Sequence, residues 1–153
     1  DVLEHVQRAL ALDPDFIPAL WLLHNAYQNR MLGGSDAQAL EEMRRLTARA
    51  EAAEPDHALT LALRAKDAGF AWQWAAAMAL WERAIAADPT DPVSLGNAAF
   101  AALGVAATDR ALELARAGIR ADPGHDWPRF AYLTALRAAG DFAAGRHEAE
   151  VIV

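Results

Sequence analysis

Trp81-Glu82-Arg83-Ala84-Ile85-Ala86-Ala87-Asp88-Pro89 reads as the end of an amphipathic helix that runs into an acidic residue and a proline. The residue before a proline is pushed out of the helical region, so Asp88-Pro89 is a stop. The same ending stands at Arg8 to Pro14, as R-A-L-A-L-D-P, and returns in weaker form at Arg49 to Pro55 and at Ala117 to Pro123. Pro55, Pro89 and Pro123 follow one another at intervals of 34 residues. A fixed interval of that length is the mark of stacked helical units. From Pro14 to Pro55 is 41 residues, seven more than the period. About two extra helical turns are therefore expected around Gly33-Gly34 and the helix after it.

The remaining segments follow from apolar spacing and punctuation. Asp1 to Leu12 is expected to be a helix with Val2, Leu3, Val6, Ala9 and Leu10 on one face. Ile17 to Arg30 follows, with Pro18 in its first turn, Asp15 near its cap, and Leu20, Leu23 and Tyr27 inside. Met31 to Asp36 is the least regular stretch: two glycines end a helix, and Ser35 or Asp36 can cap the next. Ala37 to Ala53 carries Leu40, Met43, Leu46 and Ala50. Asp56 to Ala68 carries Leu59, Leu61, Leu63 and Ala65, with Gly69 ending or kinking it and Phe70 to Trp74 forming an aromatic turn. Helices are expected at Trp74 to Ala87, Val93 to Leu103, Arg110 to Ala121 (capped by Thr108 or Asp109), Trp127 to Ala139 and Phe142 to Val153.

The composition agrees with closely packed helices. Hydrophobic residues make up 54% of the 153 residues, and much of that is Ala, the best helix former and a small packer. The formal net charge of −7 argues against a nucleic-acid partner, which needs clustered Lys and Arg. Lys66 is the single lysine. No run approaches the 18 apolar residues of a membrane span, so no membrane insertion is expected and a cytoplasmic location is. There is no cysteine and hence no disulfide or thiol chemistry. The chain opens within a unit and without Met, which reads as a piece of a longer polypeptide.

The array resembles tetratricopeptide repeats, in which each unit is an antiparallel pair of helices, A and B. Val6, Thr47, Trp81 and Ala115 each lie eight residues before a closing Pro. Ala9, Ala50, Ala84 and Gly118 lie five before it, and Gly140-Asp141-Phe142 matches the family's turn between A and B. Arg64 stands near a position that is normally a buried Leu, so Leu63 is expected to take the core role; His24 stands where the family has Gly. The resemblance implies an all-α, right-handed α-α superhelix. Its units are a half-repeat at 1–14, repeats at 15–55 (with the insertion), 56–89 and 90–123, and a partial repeat at 124–153. Phe70 to Ala77 also resembles an aromatic turn of repeat arrays attached to bacterial winged-helix regulators, nucleotide cyclases and Ser/Thr kinases.

Enzyme motifs are absent: the chain has no phosphate-binding glycine loop, no H-E-x-x-H and no G-x-S-x-G. The five histidines are scattered and no metal site is expected. No cofactor is expected, and the chain reads as non-catalytic. Trp81 is expected in the core. Trp72 and Trp74 are expected to pack beneath the turn, the alternative being a binding platform. The resemblance implies that a protein or peptide partner lies in the concave groove formed by the A helices. The candidate lining is Trp21, Asn25, Gln28 and Asn29, then Lys66 and Phe70, then Asn97 and Phe100, and finally Trp127, Phe130 and Arg137. The alternative is a regulatory or oligomerisation module of a larger bacterial signalling protein. Apolar ends such as Val151-Ile152-Val153 lead to an expectation of homo-oligomers through the repeat ends.

Overall fold

The computed structural model describes residues 2–32 and 37–152. The expected loop and cap at Gly33 to Asp36, and the terminal Asp1 and Val153, lie outside the described residues. The described residues form nine α-helices: α1 (Val2–Leu12), α2 (Ile17–Leu32), α3 (Ala37–Ala53), α4 (Ala58–Phe70), α5 (Trp74–Ala87), α6 (Pro92–Gly104), α7 (Thr108–Ala121), α8 (Asp126–Ala139) and α9 (Phe142–Ile152). From α2 onward each helix packs on the next, and α4 also touches α2 as α8 touches α6. The chain is thus an all-α, right-handed solenoid of helix pairs.

The acidic-Pro stop has a specific hydrogen-bond chemistry. The N–H groups of Asp13, Glu54, Asp88 and Asp122 donate to the carbonyls of Ala9, Ala50, Ala84 and Gly118, which closes the last turn of α1, α3, α5 and α7. The aspartates then turn the chain themselves. Asp13, Asp88 and Asp122 accept through Oδ1 from the N–H of Asp15, Thr90 and Gly124, two residues on. Such Asx turns offer the backbone a way out of the helix. The next helix is started by a side chain as well: His57, Asp91 and His125 accept from the first-turn N–H groups of α4, α6 and α8. Two of the scattered histidines are therefore helix caps.

The turns within the pairs repeat as closely. Gln73, Ala107 and Asp141 donate their N–H to the carbonyls of Ala68, Ala102 and Leu136. One residue earlier the chain must pass through the left-handed region, at Trp72 (φ 60°), Ala106 (φ 58°) and Gly140 (φ 76°). Only Gly140 is a residue that does so without strain.

The core is built from small residues and a few large ones. Trp81 is 3% exposed and packs among Leu61, Ala65, Ala98 and Ala101 in the cluster that joins α4 to α8. A second cluster, with Ile17, Leu20, Leu46 and Ala50, is completed by Leu63 from α4. Leu63 therefore takes the core role, while Arg64 turns away to an ion pair with Glu51 at 3.2 Å. Close approach is set by glycine. A Cβ on Gly118 would stand 2.7 Å from Pro128 Cβ, and one on Gly104 would stand 2.6 Å from Trp74 Cδ2.

Several expectations are corrected. Val2 and Leu3 are exposed rather than inward, leaving Val6 as the buried residue of α1. Asp15 caps nothing that the structure shows; it accepts from Arg49 at 3.1 Å. Gly69 neither ends nor breaks α4, which runs to Phe70, so the turn is only Ala71 to Gln73. Neither Thr108 nor Asp109 caps α7; both lie inside its first turn, and the cap position is Ala107, whose methyl group has no acceptor. Trp72 is 78% exposed, because the left-handed turn swings it outward, whereas Trp74 packs against Gly104 as expected.

Two substitution series follow. Ala106→Gly is expected to raise stability by about 0.5–1 kcal/mol, the left-handed penalty less the extra entropy of an unfolded glycine. Gly118→Ala is expected to cost about 1–3 kcal/mol against the rigid Pro128 ring. Gly145→Ala, in α9 with nothing within 4 Å of the added Cβ, is expected to gain up to about 1 kcal/mol. Thermal melts followed by circular dichroism check all three signs.

Candidate functional site

The site centres on Lys66, in the middle of α4. Its ammonium lies 4.5 Å from the centroid of the Trp21 ring and donates to Asn25 Oδ1, both on α2. Residues 21 and 25 are one helical turn apart, so α2 presents an aromatic face and an amide on the same side to one cation. Beside Lys66 opens a cavity of about 140 Å³ between α2, α4, α5 and α6. Gln28, Phe70, Asn97 and Phe100 line it, with Trp74 and Trp81 at its base. Lys66 is the one charged side chain in that lining.

The polar groups of the cavity are unevenly satisfied. Asn97 donates one of its two Nδ2 N–H groups to the Val93 carbonyl at 2.8 Å, which leaves it one N–H and its carbonyl. Gln28 Oε1 is out of water and has no donor. A carbonyl in that state costs about 1–3 kcal/mol.

Behind Lys66 lies a buried pair. His24 is fully buried, and its Nε2 meets Asp67 Oδ1 at 3.3 Å; its Nδ1 has no partner. Burial lowers the His24 pKa, with the Asp67 hydrogen bond opposing and the Lys66 charge assisting. Burial also lowers Lys66 from its ordinary 10.5 to about 8, against the pull of Asp67. The cation is thus held beside a carboxylate on its own helix.

Further along, Phe100, Trp127 and Phe130 form one ring cluster, with centroids 5.1 Å apart for Phe100–Trp127 and 5.8 Å for each of the other pairs. Trp127 can lie this close because residue 96 is glycine: a Cβ there would stand 2.6 Å from Trp127 Cδ1. Phe130 is 55% exposed, so the cluster presents an open aromatic edge.

The structure therefore brings Gln28, Lys66, Phe70, Asn97 and Phe100 together around one cavity, adds Trp21 and Asn25 through their contacts with Lys66, and continues through Phe100 to Trp127 and Phe130. It does not bring Asn29 or Arg137 there. Asn29 is exposed, and Arg137 lies with Leu133 and Phe142 where α8 faces α9. Sequence reasoning missed Asp67 and the role of His24. A histidine at the small-residue crossing of α2 was the available signal, since a polar ring there needs a partner across the helix pair. Among the described residues no three His, Asp or Glu side chains gather closely enough to hold a metal ion, and no helix is long and apolar enough to cross a membrane.

Comparison with solved structures places the fold. The chain is 22% identical to a thermophilic tetratricopeptide-repeat protein of Thermus thermophilus, over 88% of this chain and 71% of that one, with a TM-score of 0.68. It is 15% identical to MamA of Desulfovibrio magneticus RS-1 over 98% and 81% of the two chains, with a TM-score of 0.64. The second tetratricopeptide-repeat domain of human RPAP3, solved in complex with an HSP70 peptide, is 17% identical over 74% of this chain and 95% of that one, at a TM-score of 0.56. No family model and no curated protein matches the chain. The chain has the tetratricopeptide-repeat fold.

The lowered Lys66 pKa has a defined sign. Between about 8 and 10.5 the unfolded lysine holds a proton that the folded one has released. Stability then rises with pH across that window and is lost as pH falls through 8. Urea melts at pH 7.5, 9 and 10.5 are expected to show that rise in the native chain and its disappearance in Lys66→Met.

Proposed function

We propose that the chain is a non-catalytic scaffold that binds a protein or peptide in the groove centred on Lys66. The observation that carries this reading is the continuity of the lining. One cation, three amides and an aromatic run from Trp21 to Phe130 lie along successive α2, α4, α6 and α8 faces. Interfaces concentrate their binding energy in such aromatic anchors flanked by a few directed polar groups. A cavity of about 140 Å³ is small for a drug-sized ligand, whose pockets run about 300–1,000 Å³. It suits one side chain of a longer partner. A domain of the same fold, from human RPAP3, is in complex with a peptide, which supports a peptide partner for this chain.

The repeat boundaries proposed for the chain are 1–14, 15–55, 56–89, 90–123 and 124–153. On that division each of the three complete units offers one A helix to the groove, and α8 offers a fourth. Replacing Trp21, Asn25 and Lys66 together with Ala is expected to abolish capture of the partner by an immobilised chain while helicity by circular dichroism is retained. Capture at the native level would overturn the groove as the binding face.

A second reading, a regulatory or oligomerisation module, is favoured by exposed apolar side chains at one end. Leu12 is 89% exposed and Phe16 lies nearby with 44% of its surface in water. Sedimentation equilibrium at high concentration is expected to show self-association that Leu12→Asp removes; a strict monomer removes this reading.

A further inference from the structure

We infer that the Lys66 cavity reads the side-chain carboxamide of an Asn or Gln in the partner, carried next to a large apolar residue that lies on the Phe100–Trp127–Phe130 edge. The inference rests on the groove reading above and gives it a ligand chemistry.

Lys66 contributes N–H donors and nothing else. Gln28 contributes a carbonyl oxygen with no donor, and Asn97 contributes its carbonyl and the one N–H not given to Val93. The cavity therefore offers donors from Lys66 and Asn97 and acceptors from Gln28 and Asn97. A primary carboxamide is the complement, with one carbonyl to take a hydrogen bond from Lys66 and two N–H groups to give to Gln28 and Asn97.

The competing side chains fit less well. A carboxylate accepts from Lys66 and from the remaining Asn97 N–H, but it has no N–H to give and leaves Gln28 unsatisfied. It also enters a chain of net charge −7, beside an Asp67 that already attends the cation. A guanidinium or ammonium supplies the N–H groups but meets the Lys66 charge. An apolar side chain leaves Gln28 orphaned and strips water from Lys66 without replacing it. The discrimination follows the general rule that a site built to hydrogen-bond a group rejects the analogue that leaves its polar atoms unpaired.

The apolar neighbour follows from position. Asn97 and Phe100 are one turn apart on α6, so the polar cavity and the aromatic edge are adjacent. Phe100 belongs to both.

The test is a display selection on the immobilised native chain. One library presents random internal peptides and another presents random peptides with free C-termini. The expected result is enrichment of internal segments bearing Asn or Gln beside Phe, Trp, Leu or Met. Changing that Gln to Glu in a selected peptide is expected to weaken binding at least about tenfold, the scale of one lost buried hydrogen bond and one added repulsion. Gln28→Met, which keeps length and removes the acceptor, is expected to weaken the same peptide roughly tenfold without lowering the melting temperature. Enrichment of acidic segments or free C-termini overturns the carboxamide inference and leaves the groove reading standing. So does a selected peptide that tolerates Gln to Glu or that binds Gln28→Met unchanged. Absence of enrichment over the Trp21/Asn25/Lys66 alanine variant overturns both.

Discussion

Gly118 leaves 2.7 Å between the place of a Cβ and the Pro128 ring, and the spacing of the helices depends on gaps of that size. Ala62, Ala65, Ala98, Ala99, Ala102 and Ala111 are all fully buried, so backbone lies near backbone wherever helices cross. Close-packed interiors tolerate little change in volume. One large side chain can then fix each level. Trp81 fills the space between α5 and its neighbours, Trp74 lies over Gly104, and Trp127 lies over Gly96. The glycines and the tryptophans are two halves of the same device. The groove depends on it, because Phe100 and Trp127 can form one aromatic edge only if Gly96 lets Trp127 down onto α6.

A second constraint comes from the turns. The short turns that follow α4, α6 and α8 each place one residue in the left-handed region, at 72, 106 and 140. Gly140 meets this demand at no cost, Ala106 at some, and Trp72 at most, since a bulky residue is strained there and its ring is left in water. The edge-on contact of Trp72 with Trp74, at 5.7 Å between ring centroids, offsets part of that strain. The interval of 34 residues is thus written three times over: in the acidic-Pro stops, in the buried small residues five positions earlier, and in the sign of φ.

These periodic features are the ones that a sequence displays. Pro55, Pro89 and Pro123 announced the units, Trp81 announced its own burial, and Leu63 could be preferred to Arg64 because a guanidinium has no place in that core. What a sequence hides is the side chain's choice between two equally near partners. Asp15 stood close enough to cap α2 but paired with Arg49, and Trp72 was expected to pack beneath the turn because its backbone conformation is invisible in a string of letters. Within the groove the sequence named Lys66, Asn25 and Gln28 by helical position. It could not show that Asp67, one residue along, turns back to a buried His24. It could not show either that Asn97 gives one of its amide N–H groups to its own helix. Both facts depend on rotamers, and both decide the chemistry of the cavity.

That chemistry is set by how a single cation is shared. Lys66 is desolvated, which lowers its pKa to about 8, yet Asp67 keeps it protonated at neutral pH. Asp67 is in turn held by His24, whose own protonation is disfavoured by burial and by the Lys66 charge. Burial disfavours a cationic imidazole, so the positive charge of this cluster rests on Lys66. Seen from the groove, the result is a strong hydrogen-bond donor whose charge is already countered from behind. A donor of that kind attracts a carbonyl through direction more than through field. Selectivity then falls to the acceptors around it, and the unpartnered Gln28 oxygen is the group with most to gain from a ligand N–H.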